Sequence, residues 1–171
     1  MNSTQLTNAV MSDRLGQNLF RGVFPADELT SQNVIDYPCG YIANTDPSHK
    51  PGTHWVCFFF DKNKKGEFFC SYGKPPKDYK FETWLANNSK TWTFNETRLQ
   101  GALSSVCGQF CIFYLLHRFR DTTIDGLFSK DFDLNDKWVN DFIAERFNMD
   151  TAVINTDFLK TQIAKAFTGQ F

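Results

Sequence analysis

A chain of 171 residues with 18 basic and 19 acidic side chains carries a net charge of −1, which leaves no overall electrostatic footprint for nucleic acid. Its length suits one domain, residues 1–171, and nineteen phenylalanines within 42% hydrophobic content call for a packed core. No apolar run approaches a membrane span, and five cysteines, an odd number without zinc-binding spacing, fit reduced thiols better than a disulfide framework or a metal site.

In chain order, "MNSTQLTNAVMSDRL" lacks a signal-peptide core, so the expectation is a protein kept inside the cell. Residues 4–16 predict a short helix ending at Gly16. "GVFPADEL" reads as a turn from which Pro25 and Asp27 can start another helix. "CGYIANTD" is a strand breaking into the loop "PSHKPG". Residues 54–60 and 67–72 predict a hairpin around a charged turn containing Gly66. "KPPKDYKFETWLANN" is a loop and then a short helix around Trp84, and "TWTFNETRLQ" holds a further strand. Residues 107–119 are apolar all round and too long for a typical strand, which predicts a buried helix. "LNDKWVNDFIAERFN" sets Leu134, Trp138, Phe142 and Ile143 on one helical face, and "NTDFLKTQIAKAF" does the same for Phe158, Leu159, Ile163 and Phe167. Such helices covering one side of a sheet make an α+β domain.

Cys107 follows a run of small residues, precedes Gly108 and opens the buried helix. A helix N-terminus favours a thiolate through its free N–H groups and dipole. Cys111, one turn deeper among phenylalanines, reads as a small core residue, and the same bland reading is open to Cys107. Of three histidines, His49 lies in a loop and His117 is about 15 Å along the helix from Cys107. His54, at the start of a strand, is the candidate base. Gln100, seven residues before Cys107, can offer an amide to an oxyanion, although alone it reads as a surface loop residue.

The ordered set "GTHWV", "FFCSYG" and "LQGALSSVCGQFC" resembles the adenovirus-type (adenain-like) cysteine proteases. It is especially similar to those of Maverick or Polinton mobile elements and related viruses, cousins of the SUMO proteases. The resemblance covers most of residues 20–120. It implies a papain-like α+β fold of the adenain type, a mixed sheet with helices packed on it. It also implies Cys107 as nucleophile, His54 as general base, Gln100 as oxyanion donor beside the Cys107 N–H, and Trp55 packed beside the histidine. No cofactor or metal is implied. The implied activity is endopeptidase cleavage of viral or element-encoded precursors during particle maturation, at glycine-containing sites. It implies too an activating peptide or DNA; a monomer without membrane attachment, in host cytoplasm or nucleus or packaged in virus-like particles, is the accompanying expectation.

The departure is Cys70, which stands where these families carry the aspartate or glutamate that orients the histidine. An acid there is expected to accept the imidazole Nδ1–H, and a thiol is a weak acceptor. A one-residue slip of the hairpin exchanges Cys70 for Ser71 on the histidine's face. Two other functions stay open: a deconjugase acting on SUMO-like or ubiquitin-like modifiers, and a protease-like binding module that has lost activity.

Overall fold

The computed structural model describes residues 1–148. Five strands form one mixed sheet in the order β1-β2-β3-β4-β5: β1 (Phe20–Phe24), β2 (Cys39–Asn44), β3 (Trp55–Phe60), β4 (Lys65–Phe69) and β5 (Thr91–Phe94). The central three are antiparallel, whereas β1 runs parallel to β2 and β5 parallel to β4. Parallel neighbours need a crossover rather than a tight turn. Helix α3 (Ala26–Thr30) supplies one, and a 3₁₀ turn (Pro76–Tyr79) with α4 (Glu82–Asn87) supplies the other. Ahead of the sheet lie α1 (Ser3–Met11) and α2 (Arg14–Leu19), and after it α5 (Cys107–Arg118) and α6 (Phe132–Asn148). The described residues form an α+β arrangement.

Strand side chains alternate between faces. Tyr41, Val56, Phe58, Phe60 and Phe68 pack with Leu29 of α3 and Trp84 and Leu85 of α4. Phe58 meets Phe81 and Trp84 nearly edge-on at 5.2 and 5.1 Å, the geometry that aromatic quadrupoles prefer. On the other face Ile42, Cys57, Phe59 and Phe69 pack against α1 and α5. A Cβ on Gly40 would come within 2.9 Å of Leu115 and Phe119, so glycine lets α5 lie close to β2. Helix α6 packs on α5, which is why α5 is buried nearly all round.

Several sequence expectations change here. The first helix stops at Met11, because Asp13 accepts from the Leu15 and Gly16 N–H groups and starts α2. Gly16 allows close passage: a Cβ there would sit 2.0 Å from the Val10 carbonyl oxygen. Asp13 is fully buried and also binds Arg120 and Arg146 at 2.5 and 2.8 Å, tying α2 to the ends of α5 and α6. Residues 22–24, expected in a turn, belong to β1. The hairpin turn is made instead by Asp61, whose carboxylate accepts from Asn63 and Lys65, with Lys64 in the left-handed region. Gly66 lies inside β4, where a Cβ would meet Leu85 at 2.9 Å. Leu134 is 43% exposed and off the buried face of α6, while Asn135 is buried because its amide donates to the Leu99 and Ser129 carbonyls. The helix expected over "NTDFLKTQIAKAF" lies outside the described residues.

Candidate active site

The site forms where β3 begins. The Thr45 N–H donates to the His54 carbonyl at 2.9 Å, extending the β2–β3 ladder by one bond and holding the His54 backbone. Alternation along β3 then puts His54 on the face of Val56 and Phe58. The β3–β4 register pairs Cys57 with Phe69, so the next step of the chain carries Cys70 toward His54 and turns Ser71 the other way. His54 Nε2 lies 3.4 Å from Cys70 Sγ. The slip that would have substituted Ser71 does not occur. The nitrogen facing position 70 is Nε2, not the expected Nδ1.

Cys70 is fixed from behind. Asn95 accepts from the Cys70 N–H at 2.8 Å and donates to its carbonyl at 2.7 Å, a side-chain clamp that continues the β4–β5 pairing past the end of β5. The rings on His54 are Tyr72 and Tyr79, with centroids 4.8 and 5.8 Å away, rather than Trp55. Trp55 points to the α5 face, where its indole N–H donates to the Met1 carbonyl at 3.1 Å. The two-residue strand period from Cys70 would have found Tyr72. Nothing local marks Tyr79 or Asn95.

Cys107 is the first residue of α5 and is 9% exposed. It lines a cleft of about 660 Å³ together with His54, Trp55, Tyr72, Ser104 and Met1. Gly108 earns its place beside it, since a Cβ would lie 3.0 Å from Leu6 and 3.5 Å from Trp55. Burial pushes the Cys107 thiol up from its ordinary pKa, and hydrogen bonds from the Trp55 and Gly108 backbone only partly oppose this. The thiolate expected from the helix dipole is therefore not the resting form: desolvation outweighs the dipole. Cys111, 1% exposed, sits in the core, where its carbonyl faces the Cys57 thiol at 3.7 Å. All five cysteines are free.

Gln100 is not a surface residue; it is fully buried. Its Oε1 accepts from the Ser71 hydroxyl at 2.6 Å. Its Nε2 is 2.9 Å from both the carbonyl and the hydroxyl oxygen of Ser104. Thus one dipeptide serves both arms of the site, Cys70 meeting His54 and Ser71 setting which way the Gln100 amide faces. The neighbouring Gly101 N–H donates to Asp136 at 3.0 Å, anchoring this loop to α6. His49 is exposed in its loop, and His117 is buried in α5, its Nδ1 donating to the Phe113 carbonyl at 2.8 Å. Among the described residues no His, Cys, Asp and Glu cluster is arranged to hold a metal ion.

Burial, with the positive charge of Lys74, pushes His54 down to about 4. Burial likewise holds His117 at about 4, against the pull of its bond to Phe113. Both are neutral at pH 7, so the resting pair at the site is thiol and imidazole. In the unfolded chain both titrate near 6.5, so between pH 6.5 and 4 the unfolded state binds more protons and stability falls as pH falls. Urea midpoints measured at pH 7.0, 5.5 and 4.5 are expected to drop by the equivalent of a few kcal/mol. A flat profile would show these histidines to be solvated.

No protein-family model matches the chain, and no curated protein matches it. Among solved structures, the crystal structure of the selenomethionine form of the ASFV pS273R protease matches at 18% identity with a TM-score of 0.48. The match covers 80% of this chain and 64% of that one, so the chain spans just under two thirds of that protein's length.

Proposed function

We propose that the chain is a cysteine endopeptidase of the adenain-like type, acting on polypeptide precursors of a virus or mobile element, at glycine-containing sites, during particle maturation in the host cell. The observation that carries this reading is one cleft lined by Cys107 at a helix N-terminus and His54 at a strand start, with His54 backed by residue 70. In the reaction His54 Nδ1 takes the Cys107 S–H proton as sulfur attacks the scissile carbonyl carbon. The C–S bond forms, and the C=O electron pair moves onto oxygen. Collapse breaks the C–N bond as the imidazolium returns its proton to the leaving amine. Water, deprotonated by the same imidazole, then hydrolyses the thioester. Gln100 reaches the oxyanion when its Nε2 exchanges the Ser104 oxygens for the substrate oxygen.

The test is labelling with a peptide carrying a thiol-reactive electrophile, followed by mass spectrometry. Modification of Cys107 above the other four cysteines, with cleavage of a glycine-containing peptide, is the expected result. Absence of both would instead favour the inactive binding module, the reading motivated by the missing carboxylate. Parallel fluorogenic SUMO and ubiquitin conjugates test the deconjugase reading.

Replacing the weak acceptor with a strong one should help. Cys70→Asp places a carboxylate 16 residues on from His54 in sequence but in contact with Nε2, favouring the imidazolium and raising the His54 pKa from its depressed value. A gain of about tenfold in kcat/KM is expected, equal to about 1.4 kcal/mol, with the acid limb of the pH profile moved upward. No gain and no movement of that limb would mean that the thiol already does the acid's work.

A further inference from the structure

The acid that should orient His54 is absent, and among the described residues no ion pair joins His54 to a carboxylate. The thiol in its place is not isolated. Cys70 Sγ lies 3.4 Å from His54 Nε2 and 3.6 Å from Tyr79 Oη, ordinary lengths for hydrogen bonds to sulfur. Three polar groups thus stand in a row, and each end constrains the middle one.

A thiol has one proton, and with that proton lying within the row the row has two consistent senses. In one, Tyr79 donates to sulfur and the thiol donates to Nε2, which leaves the proton on Nδ1 and blocks it as a base. In the other, Nε2–H donates to sulfur and the S–H donates to Tyr79 Oη, leaving Nδ1 bare. Burial, and the sulfur beside it, hold the Tyr79 hydroxyl well above its ordinary pKa, so it stays a neutral hydroxyl that can either give or take a hydrogen bond.

The rest of the site is built to keep the row. Tyr79 ends a 3₁₀ turn that starts at Pro76, follows Pro75, and is closed by Lys80 in the left-handed region. Its ring packs on His54 and, at 6.4 Å, on Phe68. Asn95 holds the Cys70 backbone from both sides.

We propose that Tyr79 is a positioning residue that acts through Cys70: by accepting the Cys70 S–H it turns the sulfur lone pairs toward Nε2–H and selects the His54 tautomer with Nδ1 free. The neutral pair Tyr79–Cys70 thereby replaces the missing carboxylate. The catalytic consequence rests on the reading of His54 as general base; the tautomer itself does not.

The experiment is ¹⁵N–¹H correlation of the imidazoles in the full chain at pH 7, with signals assigned by His54→Gln. His117 gives an internal standard of the opposite kind, because a carbonyl only accepts and its Nδ1 must carry the proton. Wild type is expected to show His54 as the Nε2–H tautomer. Tyr79→Phe, which keeps the ring, and Cys70→Ala should each shift it toward a mixture, whereas Cys70→Ser should keep it. In steady state, Tyr79→Phe should lower kcat three- to tenfold with KM unchanged, and adding it to Cys70→Ala should cost nothing more. A wild-type Nδ1–H tautomer, or one unmoved in Tyr79→Phe or in Cys70→Ala, overturns the proposal. Because the spectrum needs no turnover, a wild type that shows the tautomer yet cleaves nothing overturns the protease reading and leaves the relay supported.

Discussion

Cys107→Ala abolishes peptide cleavage and electrophile labelling, whereas Cys111→Ala retains both: this is the largest contrast expected between two residues one helical turn apart. Cys107 lines the cleft and receives hydrogen bonds from the Trp55 and Gly108 backbone. Cys111 is in the core, with burial pushing its thiol well above the ordinary range, so it is neither ionised nor reachable. Losing its sulfur leaves a small cavity beside Cys57, costing about 1–2 kcal/mol. Cleavage assays, labelling by mass spectrometry and thermal melts on both variants check this. Full activity in Cys107→Ala, or equal labelling of both cysteines, would remove Cys107 as nucleophile. Because the resting thiol is protonated, labelling of wild type by a small alkylating agent should also be slow at pH 7 and rise toward alkaline pH.

Gln100 substitution should have the next largest effect, and it should be twofold in kind. Loss of the proposed oxyanion donor, which must first leave the Ser104 oxygens, lowers kcat by roughly 10–10³. Gln100→Ala also leaves the Ser71 hydroxyl without its acceptor and the Ser104 oxygens without their donor in a buried site, costing about 1–3 kcal/mol in stability. Gln100→Glu can still accept from Ser71 but, ionised, cannot donate, so it should be at least as damaging to kcat. Ser71→Ala separates the two effects. It frees the amide to flip and should lower kcat with little change in KM, while the Gln100 donors remain. Steady-state kinetics beside urea denaturation measure both. An active Gln100→Glu enzyme would remove Gln100 from the oxyanion site and leave it as a clamp between Ser71 and the 101–106 loop.

Much was determined by the sequence alone. Aromatic and β-branched runs on either side of a charged turn specified β3 and β4, and the short run before the "PSHKPG" loop specified β2; β2 and β3 are buried on both faces, so their runs are short and nearly unbroken. The unbroken apolar run after Cys107 specified α5 because only a helix enclosed on all sides reads that way. A helix start and a strand start pointed to Cys107 and His54, the resemblance to adenovirus-type proteases added Gln100, and the structure brings Cys107 and His54 to one cleft. What only the tertiary structure decided depends on register and burial. Which of Cys70 and Ser71 faces His54 is a matter of one residue of strand slip, and the pairing of Cys57 with Phe69 decides it. Gln100 is buried because Ser71 and Ser104 come from two different segments to satisfy its amide, a convergence that no local pattern encodes. The protonation of the site reversed for the same reason. A helix N-terminus, visible in sequence, favours a thiolate, but the desolvation that outweighs it comes from the residues folded over Cys107. Tyr79 and Asn95 reach the site across a crossover and past a strand end, so their roles exist only once the chain has closed around Cys70.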